Sequence, residues 1–413
     1  MNIKGIIRSI LDTDLYKLTM MQAIIHLFPN HKVRYKFINR GKTQFPAGFD
    51  VRLRQELKKM ESLALSEKEE NFLLTKLSFF KKTFVDLLRG YRFDSSEVGV
   101  TQSGGDLTIS IEGYWYRTVL WEVPLMALIC ELYFEMTGEE INPRDIREKN
   151  NIEKGKLFYE NNMKIADFGT RRRYSFDNQM EVVKDLKACF GSRDFLAGTS
   201  NVFIAMELGM TPMGTHAHEW FMFHAVEYGY TRANYRALDN WVEVYQGDLG
   251  IALSDTFTTE DFFRCFDKKF AKLFDGVRHD SGDPFEFADK VFAHYKKLGI
   301  DPSTKTIVFS DGLNPQLAVD IYQYCKKLGI TPSISSPGIR SSFGIGTNFT
   351  NDIGVKPLNI VIKITQVLVG DVWVDTVKLS DNPIKHTGTD KEIQLCKDTL
   401  RINTINKKLA ETH

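Results

Sequence analysis

Two nearly identical octapeptides stand 30 residues apart, KKLGIDPS at residues 296–303 and KKLGITPS at residues 326–333. Each ends an apolar pattern with helical spacing that opens on an Asp-Pro or Asn-Pro pair and closes at a glycine. Such pairs favour the start of a helix, and glycine favours its end. One strand, one loop and one helix need about 30 residues, so the repeat predicts consecutive βα units and a parallel sheet.

Seven short apolar runs with a polar or glycine-rich exit extend this pattern along the chain. They are residues 165–168, 195–198, 213–215, 250–255, 277–280, 306–311 and 343–346. The predicted fold class is α/β, an irregular (β/α) barrel of about seven parallel strands, with a catalytic domain over residues 141–365. In such a barrel every strand exit lies at one rim, where loops from different strands meet at a single site.

The two ends of the chain predict a second domain of the α+β class. Alternating apolar and polar side chains, as in half-buried strands, occur at residues 33–37, 107–114 and 371–379. Charged segments with helical spacing fill residues 51–90. Because a strand pattern returns near the end of the chain, we expect a domain over residues 1–140 that residues 366–413 complete.

Composition excludes several classes of function. The 54 Lys and Arg against 53 Asp and Glu leave a formal charge of +1, which gives no global field to attract nucleic acid or an anionic membrane. The opening residues reach Asp12 before an apolar signal segment develops. Five scattered cysteines without a C-x-x-C pair predict neither a disulfide framework nor a thiolate zinc site. We expect a soluble protein of the reducing cytoplasm.

His216 and His218 follow the third apolar run. An H-x-H pair at a strand end suits a metal-dependent barrel hydrolase, which is the alternative function. A helix is expected to begin near residues 217–219, and residues two apart on a helix do not face each other. The pattern therefore favours one reactive histidine at a helix N-terminus, where free N–H groups attract phosphate.

Arginines and carboxylates follow other strand exits. Asp280 can hold Mg²⁺ or ribose hydroxyls, whereas Asp283 is expected to cap the helix that begins at Pro284. Residues 171–173 are three arginines, which suit phosphate or pyrophosphate. The glycine-rich residues 343–348 present bare amides to the same kind of ligand. No P-loop motif occurs, so any ATP chemistry is of another type.

Seven motifs occur in an order that is far more specific than any one of them. They are DTDLYK at residues 12–17, DFGTRRR at 167–173, GTSN at 198–201, GTHAHEW at 214–220, RHDSGD at 278–283, SDGLN at 310–314 and FGIGTN at 343–348. Together they resemble the nicotinate phosphoribosyltransferases, type II phosphoribosyltransferases related to the nicotinamide and quinolinate enzymes. A catalytically inactive nucleotide-binding regulator is disfavoured, since His218 and Asp280 are both present.

The resemblance implies a reaction in NAD salvage. Nicotinate and 5-phosphoribosyl-1-pyrophosphate (PRPP) would give nicotinate mononucleotide and pyrophosphate, coupled to ATP hydrolysis through a phosphorylated histidine. The matching histidine is His218, and Asp255 matches the acid that orients it. Mg²⁺ is the implied cofactor, held by Asp280 and Asp311, which would also contact the sugar.

The resemblance also implies the substrate-binding residues. Arg278 would bind the nicotinate carboxylate, and Phe168 would cover one face of its ring. Tyr16 would cover the other face from a second subunit, which implies a homodimer with shared active sites. Phosphate groups would bind at Arg171 and at the turn formed by Gly346 and Thr347.

Ser200 bears on the choice between acid and amide. The nicotinamide enzyme has an Asp at the matched position, where a carboxylate would repel the carboxylate of nicotinate. Ser200 therefore favours nicotinate. His216 receives no role, and the pattern does not place a strand within residues 331–342.

Overall fold

The computed structural model describes residues 5–190, 195–329 and 338–402. Its strands, in chain order, are β1 (Lys32–Asn39), β2 (Val98–Ser103), β3 (Asp106–Tyr114), β4 (Ile165–Asp167), β5 (Leu196–Thr199), β6 (Gln246–Leu249), β7 (Ile251–Leu253), β8 (Gly276–His279), β9 (Thr306–Phe309), β10 (Arg340–Ile345), β11 (Ile360–Val369) and β12 (Val372–Asp375).

The helices are α1 (Leu15–Leu27), α2 (Phe49–Met60), α3 (Glu67–Lys76), α4 (Lys82–Gly90), α5 (Trp115–Thr118), α6 (Glu122–Thr137), α7 (Arg144–Glu160), α8 (Phe176–Phe190), α9 (Val202–Leu208), α10 (His218–Tyr228), α11 (Tyr230–Tyr245), α12 (Thr259–Cys265), α13 (Lys268–Leu273), α14 (Pro284–Lys297), α15 (Pro315–Lys327), α16 (Thr347–Thr350) and α17 (Asp390–Leu400). None of the described helices is long and apolar enough to cross a membrane.

A parallel sheet of six strands forms the centre of the fold, in the order β5-β4-β10-β9-β8-β7. All its strand pairs are parallel, which confirms the α/β class and places the strand exits at one edge of the sheet. Asp283 accepts hydrogen bonds from the backbone N–H groups of Phe285 (2.8 Å) and Glu286 (2.9 Å), so it caps α14 as predicted. In the region near residues 331–342 the structure has β10 from Arg340, while residues 331–337 lie outside the described residues.

A closed barrel of seven strands is not confirmed. Residues 213–215 form no strand, because Pro212 has no N–H for a ladder and Gly214 adopts a φ of 140°. The segment nevertheless links the two edges of the sheet. Met213 N–H donates to the carbonyl of Thr199 (2.9 Å), and Thr215 Oγ1 donates to the carbonyl of Ile251 (3.0 Å).

The second sheet is antiparallel, in the order β12-β11-β1-β3-β2. The C-terminal strands β11 and β12 extend it beside the N-terminal strand β1. The predicted boundary at residue 365 falls inside β11. Helices α2 to α4 cover the charged region that the sequence marks as helical.

The chain before α1 crosses the exits of the parallel sheet. Arg173 donates to both carboxylate oxygens of Asp12, at 2.6 Å and 2.9 Å, and neither side chain is exposed. Asn201 donates to the same carboxylate (2.8 Å), and the N–H of Leu15 donates to the carbonyl of Ser200 (2.8 Å). A bidentate, fully buried pair fixes both direction and distance, so these contacts place the start of α1 on the strand exits.

Glu131 on α6 gives the fold a pH-dependent component of stability. Burial raises its pKa from 4.5 to about 7. Between these values the native state binds a proton that the unfolded chain has released, so the free energy of unfolding should fall with rising pH, by at most about 3 kcal/mol. Glu131→Gln should lack this component. Urea unfolding of both proteins at about pH 5 and about pH 8 measures it, and parallel pH profiles would contradict the assignment.

Candidate active site

Two adjoining cavities lie at the strand exits. The first, of about 70 Å³, is lined by Tyr16, Phe168, Arg171, His218, Arg278 and Asp280, among others. Residues 362–364 of β11, in the antiparallel sheet, also line this cavity. The structure thus brings six of the predicted site residues to one place.

The second cavity, of about 100 Å³, shares Phe168, Arg171 and Arg278 with the first. Gly346 and Thr347 line it beside Arg172, at the start of the short helix α16. The guanidinium groups and the glycine-rich turn therefore face one cavity, an arrangement that suits a phosphate group.

His218 is the first residue of α10 and is buried. Its Nε2 lies 2.8 Å from Asp280 Oδ2, and its Nδ1 lies 3.0 Å from the hydroxyl of Thr256. The nearest oxygen of Asp255 is 3.7 Å from Nε2. Asp280, rather than the expected Asp255, is therefore the acid that hydrogen-bonds the imidazole.

Asp255 has another set of partners. Its Oδ2 accepts hydrogen bonds from the hydroxyls of Ser281 and Ser380. Its Oδ1 is buried and has no hydrogen-bond partner within residues 5–190, 195–329 and 338–402. One ligand atom each of His218, Asp255 and Asp280 lie within 4.8 Å of one another, close enough to hold a cation.

The surroundings keep His218 neutral. Burial and then the ammonium of Lys378 lower its pKa to about 4, against the opposing effect of the two acids. Despite burial, Arg278 and the contact with His218 hold the pKa of Asp280 well below its usual value. An ionised Asp280 accepts a hydrogen bond from the N–H group at Nε2. Nδ1 is therefore the unprotonated nitrogen of a neutral ring.

Arg278 and Asp311 complete the predicted set. Arg278 donates to Ser310 Oγ (2.8 Å) and to Asp280 Oδ1 (3.0 Å). Lys385 donates to the backbone carbonyl of Asp280 (2.8 Å) and to the carboxylate of Asp311. Asp280 and Asp311 therefore meet at one ammonium group.

Three lysines of the C-terminal segment were missed by sequence reasoning. Lys363 lines the first cavity, and burial lowers its pKa to about 7. Lys378 is buried near Asp255 and Asp280, and Lys385 lies beside them. Alternating apolar and polar side chains predict a strand at residues 371–379. Nothing local in the sequence, however, predicts that these ammonium groups lie beside acids of the parallel sheet.

The structure shows where the side chains of Tyr16 and Ser200 lie relative to the first cavity. Tyr16 lines the cavity of its own chain, because α1 is held on the strand exits of that chain. The contribution of Tyr16 from a second subunit stays a prediction. Ser200 is fully buried and donates to Asp14 Oδ1 (2.7 Å), while Asp14 itself lines the cavity. Ser200 thus lies behind the wall instead of facing the substrate.

His216 belongs to the core. Its ring packs edge-on against Phe221 and Trp241, with centroids 5.2 Å and 4.7 Å away. Neither ring nitrogen has a hydrogen-bond partner in the described part of the chain, and burial lowers its pKa to about 3. This geometry gives no support to a metal shared by His216 and His218.

Comparisons with known proteins place the chain in one family. The nicotinate phosphoribosyltransferase (NAPRTase) family model matches residues 163–404, and the model of the NAPRTase N-terminal domain matches residues 11–130. A nicotinate phosphoribosyltransferase of Chromohalobacter salexigens is 50% identical over 399 residues, 96% of this chain and 98% of the relative.

Solved structures are equally similar. The nicotinate phosphoribosyltransferase of Porphyromonas gingivalis superposes with a TM-score of 0.90 at 44% identity, covering 95% of this chain and 99% of that one. The enzyme of the same name from Vibrio cholerae gives a TM-score of 0.87 at 33% identity, covering 99% and 98%.

A parallel sheet whose exits gather an imidazole, acids and arginines beside a glycine-rich turn suits the class of enzymes that transfer a phosphorylated group. The sequence similarity narrows this class. The chain belongs to the nicotinate phosphoribosyltransferase family, and it is a transferase enzyme.

Lys363 gives the first cavity a pH-dependent affinity for anions. Its ammonium is charged below pH about 7 and neutral above, so binding of inorganic pyrophosphate should weaken as pH rises through that value. Lys363→Arg, which stays charged, is the matched control and corrects for the titration of pyrophosphate itself. Calorimetric titration measures both proteins. Equal pH dependence in the two would contradict a titrating Lys363.

Proposed function

We propose that the protein transfers the phosphoribosyl group of PRPP to the ring nitrogen of nicotinate, releases pyrophosphate and so serves NAD biosynthesis. The observation that carries this proposal is the shared wall of the two cavities. Phe168, Arg171 and Arg278 border both, so a pyridine carboxylate and a ribose phosphate would lie side by side. Family membership supports the same reaction.

Nicotinate would bind in the first cavity. Tyr16 and Phe168 supply flat apolar surfaces there, and Arg278 supplies a cation for the carboxylate. Transfer builds positive charge on the anomeric carbon as pyrophosphate departs. The carboxylate of Asp280, kept ionised by Arg278, would stabilise that charge.

The phosphate groups of PRPP would bind around the second cavity. Arg171 and Arg172 offer planar donors, and the turn at Gly346 and Thr347 offers backbone N–H groups. Lys363 adds an ammonium group in the adjoining first cavity. These cations balance an anion that the overall charge of +1 does not attract.

ATP would phosphorylate His218. The lone pair of Nδ1 attacks the γ-phosphorus, the bond from that phosphorus to the bridging oxygen breaks, and ADP leaves with the electron pair. Asp280 holds the proton on Nε2 throughout. Thr256, which donates to Nδ1 in the free protein, would turn its hydroxyl away as the phosphate arrives.

Mg²⁺ fits the oxygen atoms of Asp280 and Asp311. The backbone carbonyl of Asp280 and the carboxylate of Asp311 both accept from one cation, the ammonium of Lys385, and hard oxygen donors are the ligands that Mg²⁺ prefers. Bound by these two residues, Mg²⁺ would neutralise charge on the leaving pyrophosphate. Lys385 would then move to a phosphate oxygen.

Three broader features belong to the proposal. The bridging contacts of residues 213–215 support treating the parallel sheet as an irregularly closed barrel. Five unpaired cysteines support a reducing, cytoplasmic location. A homodimer with shared active sites stays a prediction, and sedimentation would test the dimer.

His218→Ala should abolish acid-labile labelling of the protein by [γ-³²P]ATP. It should also uncouple ATP hydrolysis from mononucleotide formation, while slow transfer without ATP survives. His26→Ala, at an exposed position on α1, is the control and should label normally. Undiminished labelling of the His218 variant would refute the phosphohistidine.

The purified protein should use nicotinate with a higher kcat/KM than nicotinamide. Arg278 binds the charged carboxylate but gains little from a neutral amide. Mononucleotide formation from either base with PRPP, with and without ATP, provides the measurement. A preference for nicotinamide would reverse the assignment of the base.

A further inference from the structure

Lys17 is a fully buried lysine that the mechanism above does not use. It lies in the first turn of α1, and its Nζ is 2.5 Å from a carboxylate oxygen of Glu122 and 2.6 Å from one of Glu219. Both acids line the first cavity, but Lys17 does not. The lysine therefore acts on the cavity from behind its wall.

The charges that line the cavity show what Lys17 contributes. The acids there are Asp14, Glu122, Glu219 and Asp280, and the permanent or titrating cations are Arg171, Arg278 and Lys363. Without Lys17 the acids would outnumber these cations at a place that must accept an anionic base and an anionic phosphoribosyl donor. With Lys17 the two signs balance when Lys363 is charged.

The ion pairs of Glu122 and Glu219 show which of the two acids depends more on Lys17. Arg171 Nη1 lies 3.5 Å from the carboxylate oxygen of Glu122 that Lys17 does not contact, so Glu122 has a second cation. Glu219 has Lys17 as its only ion-pair partner among the described residues. Its other oxygen accepts from the hydroxyl of Tyr35 and the indole of Trp115, both at 3.2 Å. Its negative charge therefore depends on Lys17 for compensation.

We propose that Lys17 is a positioning residue that makes the enzyme prefer nicotinate, which carries a carboxylate, over the amide nicotinamide. This proposal rests on the proposed function. By compensating Glu122 and Glu219 through the wall, it keeps those carboxylates from repelling the carboxylate of nicotinate beside Arg278. One uncompensated charge in a desolvated cavity acts strongly on a nearby anion and weakly on a neutral molecule of the same shape. The amide nicotinamide is that neutral molecule.

Lys17 also links α1 to α10 mechanically, through its ion pair with Glu219. Tyr16 and His218 are the chain neighbours of these two residues. A purely mechanical role would disturb acid and amide alike. Charge compensation distinguishes the acid from the amide, and its effect on the phosphoribosyl donor is common to both bases, so the ratio of the two kcat/KM values separates the two roles.

The experiment compares Lys17→Met, Lys17→Arg and the double variant Lys17→Met with Glu219→Gln. Lys17→Met should raise the KM for nicotinate and shift the nicotinate-to-nicotinamide ratio of kcat/KM toward the amide by roughly tenfold or more. Lys17→Arg should keep the ratio near that of the wild type. The double variant removes one charge of each sign, and the amide carbonyl that it introduces at position 219 still accepts from Tyr35 and Trp115, so it should restore the ratio.

Two results would overturn the proposal. One is an equal loss for acid and amide in Lys17→Met, and the other is a folded double variant that keeps the shifted ratio. If Lys17→Met does not fold, because it buries uncompensated acids, Glu219→Gln carries the test. It leaves the charge of Lys17 in excess, so its ratio should shift toward the acid, whereas a purely mechanical role leaves the ratio unchanged. Its circular dichroism spectrum and urea unfolding establish that it folds. A wild-type protein that forms no mononucleotide from either base would instead refute the proposed function itself.

Discussion

The buried contact between Arg173 and Asp12 is the constraint on which the cleft depends. It ties the chain before α1 to the exit of β4, and Asn201 at the exit of β5 holds the same carboxylate. With that segment fixed, Asp14 and Tyr16 face the cleft, and Lys17 reaches Glu122 and Glu219 from behind its wall. A buried pair of this kind does little for net stability but specifies one register, since any shift would strand both charges without water.

The site that results is a small volume crowded with charges of both signs. Arginines, lysines and carboxylates lie within hydrogen-bond distance in a space from which most water is excluded, and each group changes the proton affinity of its neighbours. His218 stays neutral because burial and Lys378 outweigh two acids, whereas Asp280 stays ionised because Arg278 and the contact with His218 together outweigh burial. One arrangement therefore supplies a nucleophilic nitrogen and a negative carboxylate at the same pH.

Sequence reasoning predicted the parts of the site that local patterns carry. The strand exits at Asp167, at Arg278 to Asp280 and at Gly346 appear as apolar runs with polar ends, and parallel pairing alone brings them to one edge. The helix cap at Asp283 follows from its place before Pro284, whereas the place of Phe168 in the cavity was implied by the resemblance to a known family. Pattern reasoning failed for residues 213–215, where proline and glycine interrupt a run that composition alone makes strand-like.

The sequence by itself determined the secondary-structure units, the α/β class and the motifs of the family, because these depend on spacing along the chain. Only the tertiary structure decided which acid holds His218, that Ser200 stands behind Asp14, and that Tyr16 lines the cavity of its own chain. It also decided that Lys363, Lys378 and Lys385 from the far end of the chain meet the acids of the parallel sheet. Electrostatic partners are set by distance in space, and contacts between residues hundreds of positions apart leave no periodic trace in one sequence.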